Sequence, residues 1–239
     1  MINNLQIIIH SPLINVQFPG NAFMIYEVMI TVATFDILPT DDMFPLVLAE
    51  LPEEDAYTDK FDRLNYGSVF TVMNMGTLLI IFLYYVVLYS IYPCVRLGKN
   101  HLKWCNKLEK KLNGMLFWNH AIVFIQEGFI EILIGALINF KYMVSADDPW
   151  GNWNLVFNNI ITIVLTASSA ILCLFLVFFL YPRFGKLRQK SYKEKYEGAY
   201  EMIQVKRRGR AVLLFPLFFF VRRILLAVAV VHMLDYPSF

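Results

Sequence analysis

Long apolar runs alternate with short polar ones along this chain. Four runs, at about 68–92, 115–140, 158–181 and 211–234, exceed the roughly 20 residues that a helix needs to cross a hydrocarbon core. Each must be helical, because lipid offers no hydrogen-bond partner to a free backbone group. The pattern predicts an all-α fold, a polytopic membrane bundle of four transmembrane helices. Pro93 and Pro182 stand at the ends of the first and third runs and are expected to close them.

A fifth stretch, 21–38, is marginal in length. Its polar residues Glu27, Thr31 and Thr34 recur at helical spacing and share one face. The reading is an amphipathic helix that lies in the interface or re-enters it, within an N-terminal region 1–39. The other arrangement packs that polar stripe inward. An acidic loop, 40–67, follows, and the four-span bundle occupies 68–239.

Charge orders the loops. The segment from Arg96 to Lys111 holds six Lys/Arg and one acid, and Arg183 to Arg210 holds ten Lys/Arg and three acids. Together they carry 16 of the 21 basic residues. The acidic loop holds eight acids against Lys60 and Arg63. An even number of crossings separates the two basic loops, 93–114 and 182–210, so both lie on one side. The positive-inside rule makes that side cytoplasmic. Trp104 and Trp118 then fall at the inner boundary, and Trp150 and Trp153 at the outer one. The expectation is an integral protein of the plasma membrane, with the bilayer as its first partner.

Composition agrees with this picture. Hydrophobic residues make up 58% of the 239 and charged residues 17%, where soluble domains run nearer half and a quarter. The mean hydropathy is +0.52. The net charge of +2 gives no sign of a nucleic-acid partner. Three cysteines, Cys94, Cys105 and Cys173, have neither CxxC spacing nor the count of a disulfide framework. Cys94 and Cys105 lie beside a span, where S-palmitoylation is one reading and plain juxtamembrane cysteine the simpler one. No GxSxG, HExxH, P-loop or GxGxxG motif occurs. The expectation is a protein without catalytic residues, metal ligands or cofactor.

Four charges interrupt the apolar runs. Arg222 and Arg223 stand side by side inside the fourth, and Glu127 and Glu131 inside the second. A charge at membrane depth costs about 2.5–3.5 kcal/mol on insertion scales, so something in the protein must answer it. At about 1.5 Å per residue, Glu127 lies roughly 18 Å along its span and Arg222 roughly 17 Å along its own. On a continuous helix Glu127 and Glu131 would share a face. These depths predict an intramembrane cluster of Glu127, Glu131, Arg222 and Arg223, acting as a lock between helices or as an element that responds to voltage, ligand or ions. A standard voltage sensor would place bases every third position, and here no third base follows. The second basic loop offers Lys206, Arg207, Arg208 and Arg210 as contacts for anionic lipids. In the same loop Tyr192, Tyr196 and Tyr200 recur every fourth residue and would line one face of a solvated helix that touches head groups.

The blocks PLINVQFPGNA, ATFDILPTD and FFVRRILLA, with LFWNHAIVFIQEGFIEILIGALINF between them, resemble the C-terminal membrane domain of large multipass surface proteins of ciliates. Those domains are similar to the TRP-like (polycystin-related) channel region. The resemblance runs through most of the chain and implies a fragment: a peripheral, sensor-like bundle of a cation channel without its pore, and an oligomer by analogy. Two other readings compete with it. One is a non-conducting anchor or receptor domain serving a large extracellular region. The other is a transporter that uses its intramembrane carboxylates.

Overall fold

The computed structural model describes residues 2–14, 19–33, 58–99, 102–116, 119–200 and 209–232. Every regular element among them is helical. In chain order they are α1 (Ile2–His10), α2 (Gly20–Ala33), α3 (Asp59–Arg63), α4 (Thr71–Asn74), α5 (Thr77–Gly98), α6 (Lys103–Leu116), α7 (Asn119–Glu127), α8 (Phe129–Ser145), α9 (Trp153–Phe175), α10 (Lys190–Tyr200) and α11 (Leu214–His232). A π-helical turn, Leu176–Leu180, extends α9, and a short 3-10 turn, Arg210–Leu213, leads into α11.

Three stretches are long and apolar enough to cross a membrane: Thr77–Gly98, Trp153–Leu180 and Arg210–His232. The pair α7 and α8 makes a fourth if the two count as one interrupted span. Helices of this length and hydropathy mark an integral membrane protein.

Several boundaries differ from those expected. The first apolar run is two helices rather than one. Gly76 takes φ 46°, a left-handed conformation open to glycine, and resets the chain between α4 and α5. Pro93 does not close the helix, since α5 continues through it to Gly98. The lost backbone bond is outweighed by packing: Tyr92 and Val95 bury themselves against Cys105, Leu112 and Leu116 of α6. The second run breaks at Gly128. A Cβ there would come within 3.1 Å of Leu78 Cδ1, a side-chain methyl that would have to give way by a few tenths of an ångström. Pro216 sits in the first turn of α11, where proline fits without a kink. The basic loops are themselves partly helical, as α6 and α10.

The chain divides into two compact units, with divisions inside α5, α9 and α11 and at the α7–α8 break. The first unit comprises residues 1–79, 128–167 and 222–239. Its core joins Ile9 and Leu13, Phe23 and Ile30 of α2, Phe61 and Leu64, Ile130, Ile134 and Ile138 of α8, and Ala227, Val230 and Val231 of α11. The N-terminal helices are therefore part of the packed core and not an appendage. Helix α2 buries Phe23 and Ile30 and exposes Met24, Ile25 and Val28.

The second unit comprises residues 80–127 and 168–221. In it α6 folds back along the end of α5, and α10 packs against α7. The Tyr89 hydroxyl donates to the Leu116 carbonyl and ties the α5–α6 pair at its far end. The tyrosine stripe of α10 turns inward: Tyr196 and Tyr200 are buried, and Tyr196 packs on Phe175 and Phe179. The expected solvated helix is thus a packed one, its aromatic face spent on protein contact. Burial raises the Tyr196 and Tyr200 hydroxyls above the usual tyrosine value. A cavity of about 210 Å³, lined chiefly by Ile122, Ile125, Ile171, Leu172, Phe175 and Tyr196, lies in this unit.

Candidate functional site: the buried arginine of the first unit

Arg223 is 0% exposed and heads the fully buried side chains by size. The neighbouring Arg222 is exposed, as 100° of helical turn between adjacent residues requires. The two arginines therefore do different things, and the buried one defines the site.

Arg223 Nη2 donates to Gln6 Oε1 at 2.6 Å. Gln6 belongs to α1, so the far N-terminal helix supplies the acceptor. The backbone carbonyl of Gln6 takes a hydrogen bond from His10 Nδ1 at 2.6 Å. A carbonyl only accepts, so the proton of the neutral ring sits on Nδ1. His10 Nε2, 3.0 Å from the Tyr66 hydroxyl, is then the acceptor of that hydroxyl. Burial, with Arg223 close by, lowers the His10 pKa to about 4, although its bond to Gln6 pulls the other way. The ring is neutral at ordinary pH. Tyr66 is held well above the usual tyrosine value, first by burial and then by the charge of Glu131.

Glu131, 6% exposed, lies on the first turn of α8 and acts electrostatically on both Arg223 and Tyr66. It is the carboxylate of this unit that answers the guanidinium. The site is a buried cation surrounded by a neutral amide, a neutral imidazole, a phenol and one acid. That set can hold a fixed charge inside an apolar core and couple α1, α8 and α11 through it. Among the described residues no group of three His, Cys, Asp or Glu stands close enough to hold a metal ion.

The polar environment extends along the same unit. The Thr71 hydroxyl donates to the Gly135 carbonyl at 3.1 Å, and Asn158 Oδ1 accepts from the Val72 amide at 3.1 Å. Both Asn139 side-chain polar atoms are buried without a hydrogen bond among the described residues. At the rim, Arg63 Nε bonds Glu27 Oε1 at 2.7 Å, and its guanidinium lies 4.6 Å from the centre of the Phe23 ring. Glu27 of the expected polar stripe on α2 is thus clasped from α3.

Of the four charges expected to cluster, Glu131 and Arg223 come together in the first unit, while Arg222 is exposed. Glu127 belongs to the second unit and is exposed. The break at Gly128 removes the premise that Glu127 and Glu131 share a helical face. Arg210 is exposed at the foot of α11, and Lys206, Arg207 and Arg208 lie outside the described residues, as do Thr34 and Trp118. Cys94 is exposed and Cys105 buried. Sequence reasoning missed Gln6, His10 and Tyr66. A signal for the first two was present: they are the polar pair four apart in the otherwise apolar end of α1, LQIIIH.

The chain gives no match to any protein-family model, to the curated proteins or to the solved structures.

Proposed function

We propose that this chain is the peripheral, sensor-like bundle of a TRP-like, cation-channel-type membrane protein, with Arg223 as the lock that sets the register of its helices. The observation that carries this reading is a guanidinium fully buried in an apolar helical core and bonded to a segment more than two hundred residues away in sequence. Such a group costs desolvation and strands a charge if its partners move, so it favours one register of the helices over others, as a lock requires. The resemblance of FFVRRILLA and its companion blocks to TRP-like domains supplies the channel part of the reading. In this reading the two basic loops face the cytoplasm, the protein sits in the plasma membrane, and α2 lies in the outer interface with Met24, Ile25 and Val28 toward lipid.

The test is electrical. Expressed as the full-length natural protein, the wild type gives a cation current, and Arg223→Gln changes its activation while Arg222→Gln changes it less. Normal surface expression with no current across voltage, membrane stretch and calcium would overturn the channel reading and favour the anchor.

A further inference from the structure

Helix α6 presents a face that the described residues leave uncovered. Its apolar stripe, Cys105, Leu108, Leu112 and Leu116, packs against Tyr85, Leu88, Tyr92 and Val95 of α5. At about 100° per residue, Lys103, Lys107, Lys110 and Lys111 fall on the opposite side, and all four are exposed. None of these four lysines has an ion-pair partner among the described residues. The single acid of the helix, Glu109, is turned toward α5. There it lies 3.9 Å from Lys99 Nζ and accepts from the Tyr92 hydroxyl at 3.4 Å. The outward face therefore carries one sign of charge only.

Two apolar groups flank that face. Trp104 is 69% exposed and stands between the lysine side and the packed side, and Leu97, at the end of α5, is 79% exposed. An exposed tryptophan beside a basic face is the pairing found at head-group level, where its ring is amphipathic enough to sit. Continuity supports the same location: α6 follows within a few residues of a membrane-crossing helix and is bound to its end, so a head-group layer is within reach of every lysine named.

We propose that the Lys103–Lys111 face of α6 binds the anionic head groups of the bilayer that α5 crosses, with Trp104 seated at the level of the glycerol backbone. The ligand class is an anionic phospholipid. The site is separate from the basic cluster at Lys206 to Arg210 and does not depend on whether the protein conducts. It rests only on α5 being a membrane span.

The test uses the full chain in nanodiscs, one set of zwitterionic phospholipid alone and one with about a third anionic phospholipid. Spin-labelled phosphatidylserine reports the association constant. A variant with Lys103, Lys107, Lys110 and Lys111 all changed to Gln is expected to lower that constant about tenfold or more, each lysine near a charged surface contributing several-fold. Changing all four to Arg keeps it. Soluble glycerol phosphate, offered at the same concentration, does not compete, which separates a lipid source from free phosphate. If the Gln variant retains its helix content and binds the anionic lipid as the wild type does, the proposal fails. Should that variant not fold, brominated lipids decide on the chain with its four lysines in place. Quenching of Trp104, assigned by difference from Trp104→Phe, is stronger from anionic than from zwitterionic bromolipid. Equal quenching by the two, or saturable binding of an acidic peptide in place of lipid, would overturn the assignment.

Discussion

In the first unit the largest buried side chain is a guanidinium, bonded to the Gln6 amide oxygen and under the field of the Glu131 carboxylate, from elements far apart in sequence. In the second unit the buried face of α10 is aromatic: Tyr196 and Tyr200 pack on Phe175, Phe179 and the chain around Leu187. Both units bury polar atoms, but at different cost. A tyrosine keeps its ring in the core and needs one partner for its hydroxyl. A buried arginine needs several partners and a counter-charge, and losing one of them leaves a charge stranded. The first unit is therefore expected to have one specified packing, while the second tolerates repacking among apolar residues of similar volume.

The largest test of that difference is Arg223→Leu. It removes the cation and strands Glu131, and is expected to destabilise the protein by about 3–5 kcal/mol. Tyr200→Phe in the second unit removes only a neutral hydrogen bond of 3.3 Å to the Leu187 carbonyl, a loss of about 1 kcal/mol. Thermal unfolding in nanodiscs compares the two. The double variant Arg223→Leu with Glu131→Leu should recover much of the loss, since neither charge is then left alone. A double variant no better than the sum of the two singles would separate Glu131 from Arg223 and remove the counter-charge from the site. A Tyr200→Phe cost equal to that of Arg223→Leu would remove the contrast between the units.

These two residues also show how far the sequence can be read. The membrane class is legible from run length alone, because an apolar stretch beyond 20 residues has few alternatives. Arg223 is legible as a cost that must be met. Its partner is not. Gln6 is an ordinary polar residue near the start of the chain, and only the folded arrangement of α1 against α11 joins them. Glu131 is legible only as a member of a four-charge cluster, because the depths match Glu127 with Arg222 and the placing of Glu127 and Glu131 on one face assumes an uninterrupted helix. Gly128 breaks that assumption, and a lone glycine in an apolar run costs a helix only about 1 kcal/mol, too little to mark a break from sequence. Pro93 misleads in the opposite sense. Local propensity stops a helix there, but packing of α6 on Tyr92 and Val95 carries it on to Gly98.

Acid distinguishes the units at intermediate cost. His10 is neutral in the folded protein, with a pKa of about 4, while in the unfolded chain it takes a proton near 6.5. The unfolded state therefore binds more protons between these values. Stability is complete above about pH 6.5, falls as the pH is lowered, and stops falling from this source near pH 4. The shift is worth up to about 3 kcal/mol. Protonation would also give His10 two donors, so the Tyr66 hydroxyl could no longer donate to it, and would place a second cation near Arg223. The expected result is a drop in melting temperature from pH 6.5 to pH 4 that His10→Gln makes shallower. Amide hydrogen exchange should show the opening in α1 and around Tyr66 before it appears in α6 or α10. Opening that starts in α10 would place the acid-sensitive element in the second unit.

The smallest effect compares two surface ion pairs, one in each unit. Arg63 meets Glu27 at 2.7 Å and lies over the Phe23 ring one turn earlier on α2, so two groups fix its geometry. Lys99 reaches Glu109 only at 3.9 Å, from a flexible four-carbon stem with a point charge at its end. Exposed ion pairs contribute about 0–1 kcal/mol, and the upper end belongs to those with ideal geometry and a second interaction. Arg63→Ala should therefore cost about 1 kcal/mol, and Lys99→Ala a few tenths at most. Salt separates the two further: raising it to 1 M shortens the Debye length to about 3 Å and removes most of the Lys99 contribution. It leaves the packing of Arg63 on Phe23 in place. Urea unfolding of both variants at low and high salt reads this directly. The Arg63 loss should persist in part at high salt, because the clasp of α3 on α2 is as much contact as charge. Its disappearance at 1 M salt would show that the Arg63 clasp on α2 is charge alone and that the contact with Phe23 adds nothing.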